Sequence, residues 1–348
     1  MAQVGYGIIG CGNIGPIHAA AIDTVKGAKL VGVSDLVEKS AKALAGKYGA
    51  DAYTDFNEMI QRDDIHAVCI CVPSGLRMEI ATACAKAGKH ILSEKPLDVT
   101  TKRIDKIIKA TEDAGVLLGC IFQSRFADDS QLVKKALEQG RFGKLVLGDA
   151  YVKWFRSEDY YRQVPWRGTK KLDGGGALMN QSIHQIDLLT YFMGPVKRVR
   201  AQMTQATHTY IECEDLATAM LEFENGAMGV IEGSTAIYHG HPARVEVHGT
   251  EGSAVLEDGK LTFWEFKKRK PIDKNIEATL KGESELGSGA GDPLAALKIE
   301  GHARQIKDFT QAIQKGKRPL VEGSEGRVAV SVIEAIYKSA KTGKAVTL

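Results

Sequence analysis

Apolar and polar positions change rhythm once along this 348-residue chain, near residue 125. Before that point, short continuous apolar runs alternate with segments of helical period. Val4 to Ile9 is such a run, ending in glycines, and Ile17 to Ile22 follows with helical spacing. Lys29 to Ser34 is the next run; Lys39 to Tyr48 then reads as a helix closed by Gly49, with a short helix near Phe56 to Gln61. Ala67 to Val72 carries no polar side chain beyond two thiols. Pro73-Ser74-Gly75 breaks it, and a helix from about Leu76 to Ala87 ends at Gly88. Strand Lys89 to Ser93, helix Thr101 to Ala114 and strand Val116 to Phe122 complete the series, with Thr100 placed to cap the helix and Gly115 to end it. Apolar strands separated by helices predict a parallel sheet covered on both faces.

Past residue 125 the texture changes. One helix (Ser130 to Gln139) leads into strand Lys144 to Phe155, a polar stretch, and a helix from about Ala177 to Met193 stopped by Gly194-Pro195. Six strand-like segments follow: Val196 to Thr204, Asp215 to Glu224, Gly226 to Thr235, Arg244 to Gly249, Gly252 to Glu257 and Lys260 to Phe266. Asn225-Gly226 and Asp258-Gly259 have hairpin-turn composition. Residues 282–291 are rich in Gly and Ser and read as a loop; helices Pro293 to Lys315 and Glu325 to Thr342 close the chain. The expected fold class is α/β plus α+β. A doubly wound parallel Rossmann sheet spans residues 1–124, and an α+β domain on an open, mostly antiparallel sheet spans 125–348. The C-terminal helix is a candidate to pack back on the first domain.

The junction of the first strand and helix carries Gly10-x-Gly12-x-x-Gly15. In that setting the first glycine makes a tight turn, the second lets backbone approach a pyrophosphate, and the third lets helix lie close to sheet. The free N–H groups at the helix start then face the phosphates. Asp35 ends the second strand twenty positions after Gly15, where a carboxylate accepts from ribose hydroxyls. It would repel a 2′-phosphate, and Leu36, Val37 and Glu38 offer no arginine, with Lys39 the nearest cation. The expected cofactor is NAD, with NADP disfavoured.

Composition changes this picture little. A net charge of +3 from nearly balanced acids and bases implies no nucleic-acid partner. The basic cluster Lys267 to Lys270 follows a strand and reads as a solvated strand end. Six scattered cysteines without a C-x-x-C pair indicate a reducing compartment, hence the cytoplasm, and no metal is expected. The N-terminus enters a strand within a few residues, which predicts no signal peptide, and no apolar run approaches a membrane span.

Three clusters could carry chemistry. Ser93-Glu94-Lys95-Pro96 follows a parallel strand, where ligands of doubly wound sheets collect. Lys95 is either a cleft lysine that moves a proton or a surface lysine before a turn-forming proline. The second cluster runs from Asp173 through three glycines to Asn180, His184 and Asp187, which share one helix face at i, i+4 and i+7. Glycines there suit a close approach. His184 is either an acceptor of an alcohol proton near neutral pH or a buried histidine bonded to its own helix. The third joins Gln123-Ser124-Arg125 to Trp166-Arg167. These residues orient a nicotinamide carboxamide, hold substrate hydroxyls, or are structural. Arg156, Arg162 and Arg244 either hold a pyrophosphate or carboxylate or pair with surface acids.

Together, Gly-Cys-Gly-Asn-Ile-Gly, Asp35, Ser-Glu-Lys95-Pro and the Gly-Gly-Gly…Asn180…His184…Asp187 stretch resemble the Gfo/Idh/MocA family of glucose–fructose oxidoreductases and inositol dehydrogenases. The resemblance extends to the closing helix from His302 to Phe309 and to Gly343-Lys-Ala-Val. It implies a hydride transfer between NAD and a ring secondary alcohol of a sugar or polyol, with Lys95 and His184 as the catalytic pair. Gly10, Gly12, Asn13, Ile14, Asp35, Val72, Pro73, Glu94, Lys95 and Gln123 would contact the cofactor. Lys95, Arg125, Trp166, Arg167, Asn180, His184 and Asp187 would contact the substrate. It also implies a homodimer or homotetramer through the C-terminal sheet. Many inositol and aldose members carry aspartate four residues before the histidine, whereas this chain has Asn180. An amide cannot take a proton, so His184 is left as the base; with asparagine at this place the chain also resembles members acting on hexopyranosides or nucleotide-linked sugars more than those acting on inositol. Two other readings attach to the resemblance: glycoside cleavage through transient oxidation, and a cofactor-binding sensor, against which the intact Lys95 and His184 speak.

Overall fold

The alternating runs of the first 120 residues become β1 (Val4–Ile9), α1 (Gly15–Thr24), β2 (Ala28–Ser34), α2 (Glu38–Tyr48), β3 (Asp51–Tyr53), α3 (Phe56–Met59), β4 (Ala67–Ile70), α4 (Arg77–Lys86), β5 (His90–Ser93), α5 (Thr101–Ala114) and β6 (Leu118–Cys120). The computed structural model describes residues 3–280, 290–291 and 298–348. All five strand pairs are parallel and the order is β3-β2-β1-β4-β5-β6, reversing direction of growth at β1/β4. Every residue of β1 and β4 is buried, as continuous apolar runs require in a sheet covered on both sides. α5 begins where its cap was expected: the Thr100 hydroxyl accepts from Arg103 N, and Gly115 ends the helix at φ 66°.

After α6 (Asp128–Glu138), strand β7 (Leu145–Lys153), α7 (Glu158–Arg162) and α8 (Ile183–Met193), the chain lays down β8 (Val196–Thr204), β9 (Leu216–Phe223), β10 (Met228–Ser234), β11 (Arg244–Gly249), β12 (Gly252–Glu257) and β13 (Lys260–Phe266). With β14 (Val346–Thr347) they form an eight-stranded sheet, β13-β12-β11-β7-β10-β9-β8-β14, antiparallel except at β7/β10. One face buries Ala219, Leu221, Ile231, Val199, Val245 and Trp264. Along the ladders the opposite face shows Met220 (57% exposed), Met228 (61%) and Phe263 (46%). The alternation is that of a sheet with one core face.

Three features depart from the sequence reading. The chain divides into Met1–Gln123 with Leu297–Arg327 and Ser124–Ala296 with Val328–Leu348, so no single cut near residue 124 separates the units. The returning segment carries α10 (Ile299–Lys315), whose Ile306 and Phe309 join the core of β1, α1 and β2. Its Gln305 accepts from Phe122 N (3.0 Å) and donates to the Cys120 carbonyl (2.6 Å), while Tyr6 and Thr310 hydroxyls meet at 2.8 Å. A helix was not expected at α9 (Pro271–Thr279). Its start is fixed by Asp273, which accepts from Lys270 N at 2.7 Å and Trp264 Nε1 at 2.9 Å and pairs with Arg141. The helix expected over 177–193 is two structures, since Ala177–Ser182 is a π turn and only then does α8 begin. The loop 282–291 lies outside the described residues except Ala290 and Gly291, as does the expected helix start at 293–297. The last helix, α11, runs Gly323–Thr342.

Candidate active site

In the first unit the glycine-rich turn is tight because its own backbone fills it. Gly10 has φ 99°, and a Cβ there would lie 2.7 Å from the Cys71 carbonyl oxygen. A Cβ on Gly15 would strike the Gly10 carbonyl, which explains why helix and strand approach so closely. Gly12 meets nothing within 4 Å, so its surface is open to a ligand. No side chain caps α1, and Pro16 sits in its first turn. That leaves the helix N-terminus to be capped by an anion. Asp35 accepts from Cys11 N (2.7 Å) and Val37 N (2.8 Å), one bond to each carboxylate oxygen, so both oxygens keep lone pairs for ribose hydroxyls. Beside it, Leu36 is 92% exposed, a flat apolar contact for a base ring. The Gln123 amide oxygen is buried and accepts no hydrogen bond among the described residues, which suits a carboxamide partner. Asn13 is exposed, while Ile14, Val72 and Pro73 are half-buried. These residues fit a nicotinamide dinucleotide.

Lys95 follows β5 and is half-buried. Its loop is held by a residue that the sequence did not single out. Arg77 is buried and donates to the carbonyls of Val72 (2.9 Å), Glu94 (2.7 Å) and Pro96. Glu94 takes a different part from the cofactor contact expected of it. Its carboxylate is taken up inside the unit, accepting from His18 Nε2 at 2.9 Å and His302 Nε2 at 3.3 Å. Burial would push this carboxyl up, but the two imidazoles hold it well below the usual range. Burial lowers His18 against the pull of Glu94, so a neutral imidazole donates to an ionised carboxylate. The three side chains also have the types that ligate metals, and their ligating atoms lie within 4.8 Å of one another. Among the described residues the Nδ1 atoms of both histidines have no hydrogen-bond partner. With Nε2–H donating to Glu94, each Nδ1 carries a lone pair and no proton.

In the second unit, Glu214 is the organising residue. Its buried carboxyl accepts from Gly176 N (3.1 Å), Leu178 N (2.9 Å) and the Tyr337 hydroxyl (2.9 Å), capping the π turn that precedes α8. Here two of the three glycines find their reason. A Cβ on Gly175 would strike the Tyr337 hydroxyl and one on Gly176 the Glu214 carbonyl oxygen, so the close approach is made by the chain itself. Gly233 of β10 does the same for the π turn, since a Cβ there would lie 2.6 Å from Leu178 and 2.7 Å from Ser182 Oγ. Burial raises the Glu214 carboxyl to about 7, against the opposing bonds from Leu178, Tyr337 and Gly176. A carboxyl raised in the fold stabilises it fully below the unfolded value and loses that contribution as pH climbs through about 7. The expected result is a loss of about 3 kcal/mol in unfolding free energy between pH 4.5 and 7.5, flattened in Glu214→Gln. Denaturant melts across that range check it; an unchanged slope in the variant sinks the assignment.

Asn180 in the turn and His184 and Asp187 on α8 have different surroundings. His184 is half-buried on α8. Asn180 Nδ2 donates to Asp173 Oδ1, and Asn180 Oδ1 accepts from Gln181 Nε2 at 2.7 Å. Asp187 and Arg125 hold each other: Nε to Oδ2 is 2.8 Å and Nη2 to Oδ1 2.6 Å, with side chains 1% and 2% exposed. That buried pair takes the place of the substrate contacts expected of both. Arg167 stacks 4.0 Å from the Tyr160 ring and donates to the Tyr160 carbonyl, with Trp166 half-buried next to it. Of the other arginines, Arg162 pairs with Glu158, and Arg244 with Glu246 and Glu257.

The comparisons place the fold and the cofactor class in a known family. The family model described as an oxidoreductase family with an NAD-binding Rossmann fold matches residues 4–122, and the GFO/IDH/MocA C-terminal domain matches 130–255. Myo-inositol 2-dehydrogenase of Thermotoga maritima is 29% identical over 98% of both chains. An uncharacterised oxidoreductase, YrbE of Bacillus subtilis, is 32% identical over 99% of this chain and 97% of its own. The WlbA dehydrogenase of Bordetella pertussis, solved with NADH and UDP-GlcNAcA, superposes with a TM-score of 0.90 at 30% identity, covering 100% of this chain and 98% of that one. The chain belongs to the Gfo/Idh/MocA family, as an NAD-dependent oxidoreductase of the kind that works on sugar and polyol alcohols.

Proposed function

We propose that the chain oxidises, or forms by reduction, a ring secondary alcohol of a hexopyranoside or nucleotide-linked sugar. What carries the reading is Asn180, an amide fixed by neighbours in the turn directly before the half-buried His184. Likeness to WlbA, solved with a nucleotide sugar, supports it. NAD, when bound, supplies a hydride acceptor at its nicotinamide. His184 takes the hydroxyl proton of the alcohol, as an imidazole suits near neutral pH. Lys95 donates a hydrogen bond to the substrate oxygen as negative charge develops there. Gly10, Gly12, Asn13, Ile14, Val72 and Pro73 bind the dinucleotide phosphates, Asp35 the ribose, and Gln123 the carboxamide. Glu94 and Arg77 support the Lys95 loop, the Arg125–Asp187 pair supports α8, and Trp166 and Arg167 shape the substrate side.

Myo-inositol is the second substrate class, favoured by similarity to the Thermotoga maritima enzyme over nearly the whole chain. Met220, Met228 and Phe263, exposed on the open face of the second sheet, support a homo-oligomer formed through that face. No described helix is long and apolar enough to cross a membrane, and six free thiols support a reducing cytoplasmic setting. Nicotinamide absorbance with NAD and a panel of polyols, free sugars, glycosides and nucleotide sugars tests the reading. Turnover confined to pyranosides or nucleotide sugars is expected. Turnover with inositol alone moves the chain to the second class, and none with any of them removes the dehydrogenase reading.

A further inference from the structure

Four side chains of the second unit form a chain of hydrogen bonds whose direction is dictated by its ends. Arg156 is 2% exposed, with no carboxylate partner among the described residues; its Nη2 donates to Gln181 Oε1 at 2.8 Å. The Gln181 amide nitrogen donates to Asn180 Oδ1 at 2.7 Å and to the Tyr160 hydroxyl at 2.9 Å. Asn180 Nδ2 donates to Asp173 Oδ1, while Gly168 N donates to Asp173 Oδ2 at 2.8 Å. A guanidinium can only donate and an ionised carboxylate can only accept. Both amides between them are therefore locked, oxygen toward the arginine and nitrogen toward the aspartate.

From this relay we infer a substrate-selecting device: Asp173, Gln181 and Arg156 are positioning residues that present Asn180 to the substrate as a hydrogen-bond donor. This rests on the dehydrogenase reading above. Asn180 then favours a substrate oxygen that accepts, such as a keto or carboxylate oxygen, over a hydroxyl that must give up its proton. An aspartate at 180 would set two carboxylates against each other in a buried turn, and one would be forced to hold a proton. Charged or titratable groups around Asp173 and Asn180 are Arg156, Arg167, Tyr160, Tyr161, Cys213, Tyr337 and, through Tyr337, Glu214.

The test is the cycle N180D, D173N and N180D/D173N, followed by thermal melts and NAD titration at pH 5 and pH 8 without substrate. N180D is expected to lower Tm at pH 8 by about 5 °C, with most of the loss recovered at pH 5. D173N/N180D restores Tm at pH 8, because the swapped pair keeps one donor facing one acceptor. NAD binding is unchanged throughout, which shows that the variants fold. On the best panel substrate, N180D loses about 10²-fold in kcat/KM and the double variant regains at least about tenfold. Should N180D fail to fold, Q181L serves instead: a leucine there can neither accept from Arg156 nor donate to Asn180, so it too must lower Tm at pH 8. N180D or Q181L melting like the wild type at both pH values, or a double variant no better than N180D, overturns the relay. A silent substrate panel with the expected melts would leave the relay standing and remove only the dehydrogenase reading.

Discussion

His184→Ala lowers turnover by about 10²–10⁴-fold, the usual contribution of a positioned proton acceptor, and Lys95→Ala falls in the same range. The two side chains are held by separate means, so their loss should act on chemistry and leave binding alone. His184 stands on α8 just after a turn capped by Glu214 and Tyr337. Lys95 lies in a loop whose carbonyls on both sides are bound by Arg77. Neither residue belongs to the glycine turn or to Asp35, where pyrophosphate and ribose are to be held. NAD affinity, read by fluorescence titration, therefore stays near the wild-type value in both variants. Single-turnover absorbance measures the chemical step directly. Full activity in either variant would remove that residue from the mechanism.

The largest effect on stability is expected for Asp187→Ala. Arg125 and Asp187 are a two-bond pair almost wholly out of water, with the guanidinium also 4.4 Å from the Tyr191 ring. Removing the carboxylate strands a buried cation, which costs about 3–5 kcal/mol and lowers Tm by about 10 °C. Arg125→Met with Asp187→Leu removes both charges and should restore much of the loss. Calorimetry of the single and double variants decides the matter. A normal melting temperature in Asp187→Ala, with a raised KM for the sugar, would instead return Asp187 to the substrate.

Much of the first unit was legible in the chain because its signals are local. Continuous apolar strands, Thr100 and Gly115 around α5, and the spacing of Gly10, Gly12 and Gly15 each act over a few residues. What escaped reading acts over distance. His18, Glu94 and His302 meet across 76 and 208 positions, and nothing near any of them signals the other two. Arg77 looked like an ordinary helix residue until its three carbonyl partners were in place. The π turn at 177–182 is set by Glu214, Tyr337 and Gly233, all remote in sequence. For the same reason the glycines of 174–176 suggested a close approach without saying of what, and at Gly175 and Gly176 the approaching groups are Tyr337 and Glu214. Helix α9 offers only Ile272 and Ile276 as apolar spacing over its nine residues, too little to separate it from a loop.

The return of α10 to the first sheet bears on biosynthesis. A ribosome that has released only the opening 123 residues has released the whole cofactor turn, yet not Ile306, Phe309 or Gln305, which complete its core and tie down Cys120 and Phe122. The nascent cofactor half must wait through synthesis of nearly the entire second sheet before it can close. For the same reason the gene cannot be cut after codon 123 to give a portable NAD-binding module. A working excision would have to splice the segment 297–327 back on.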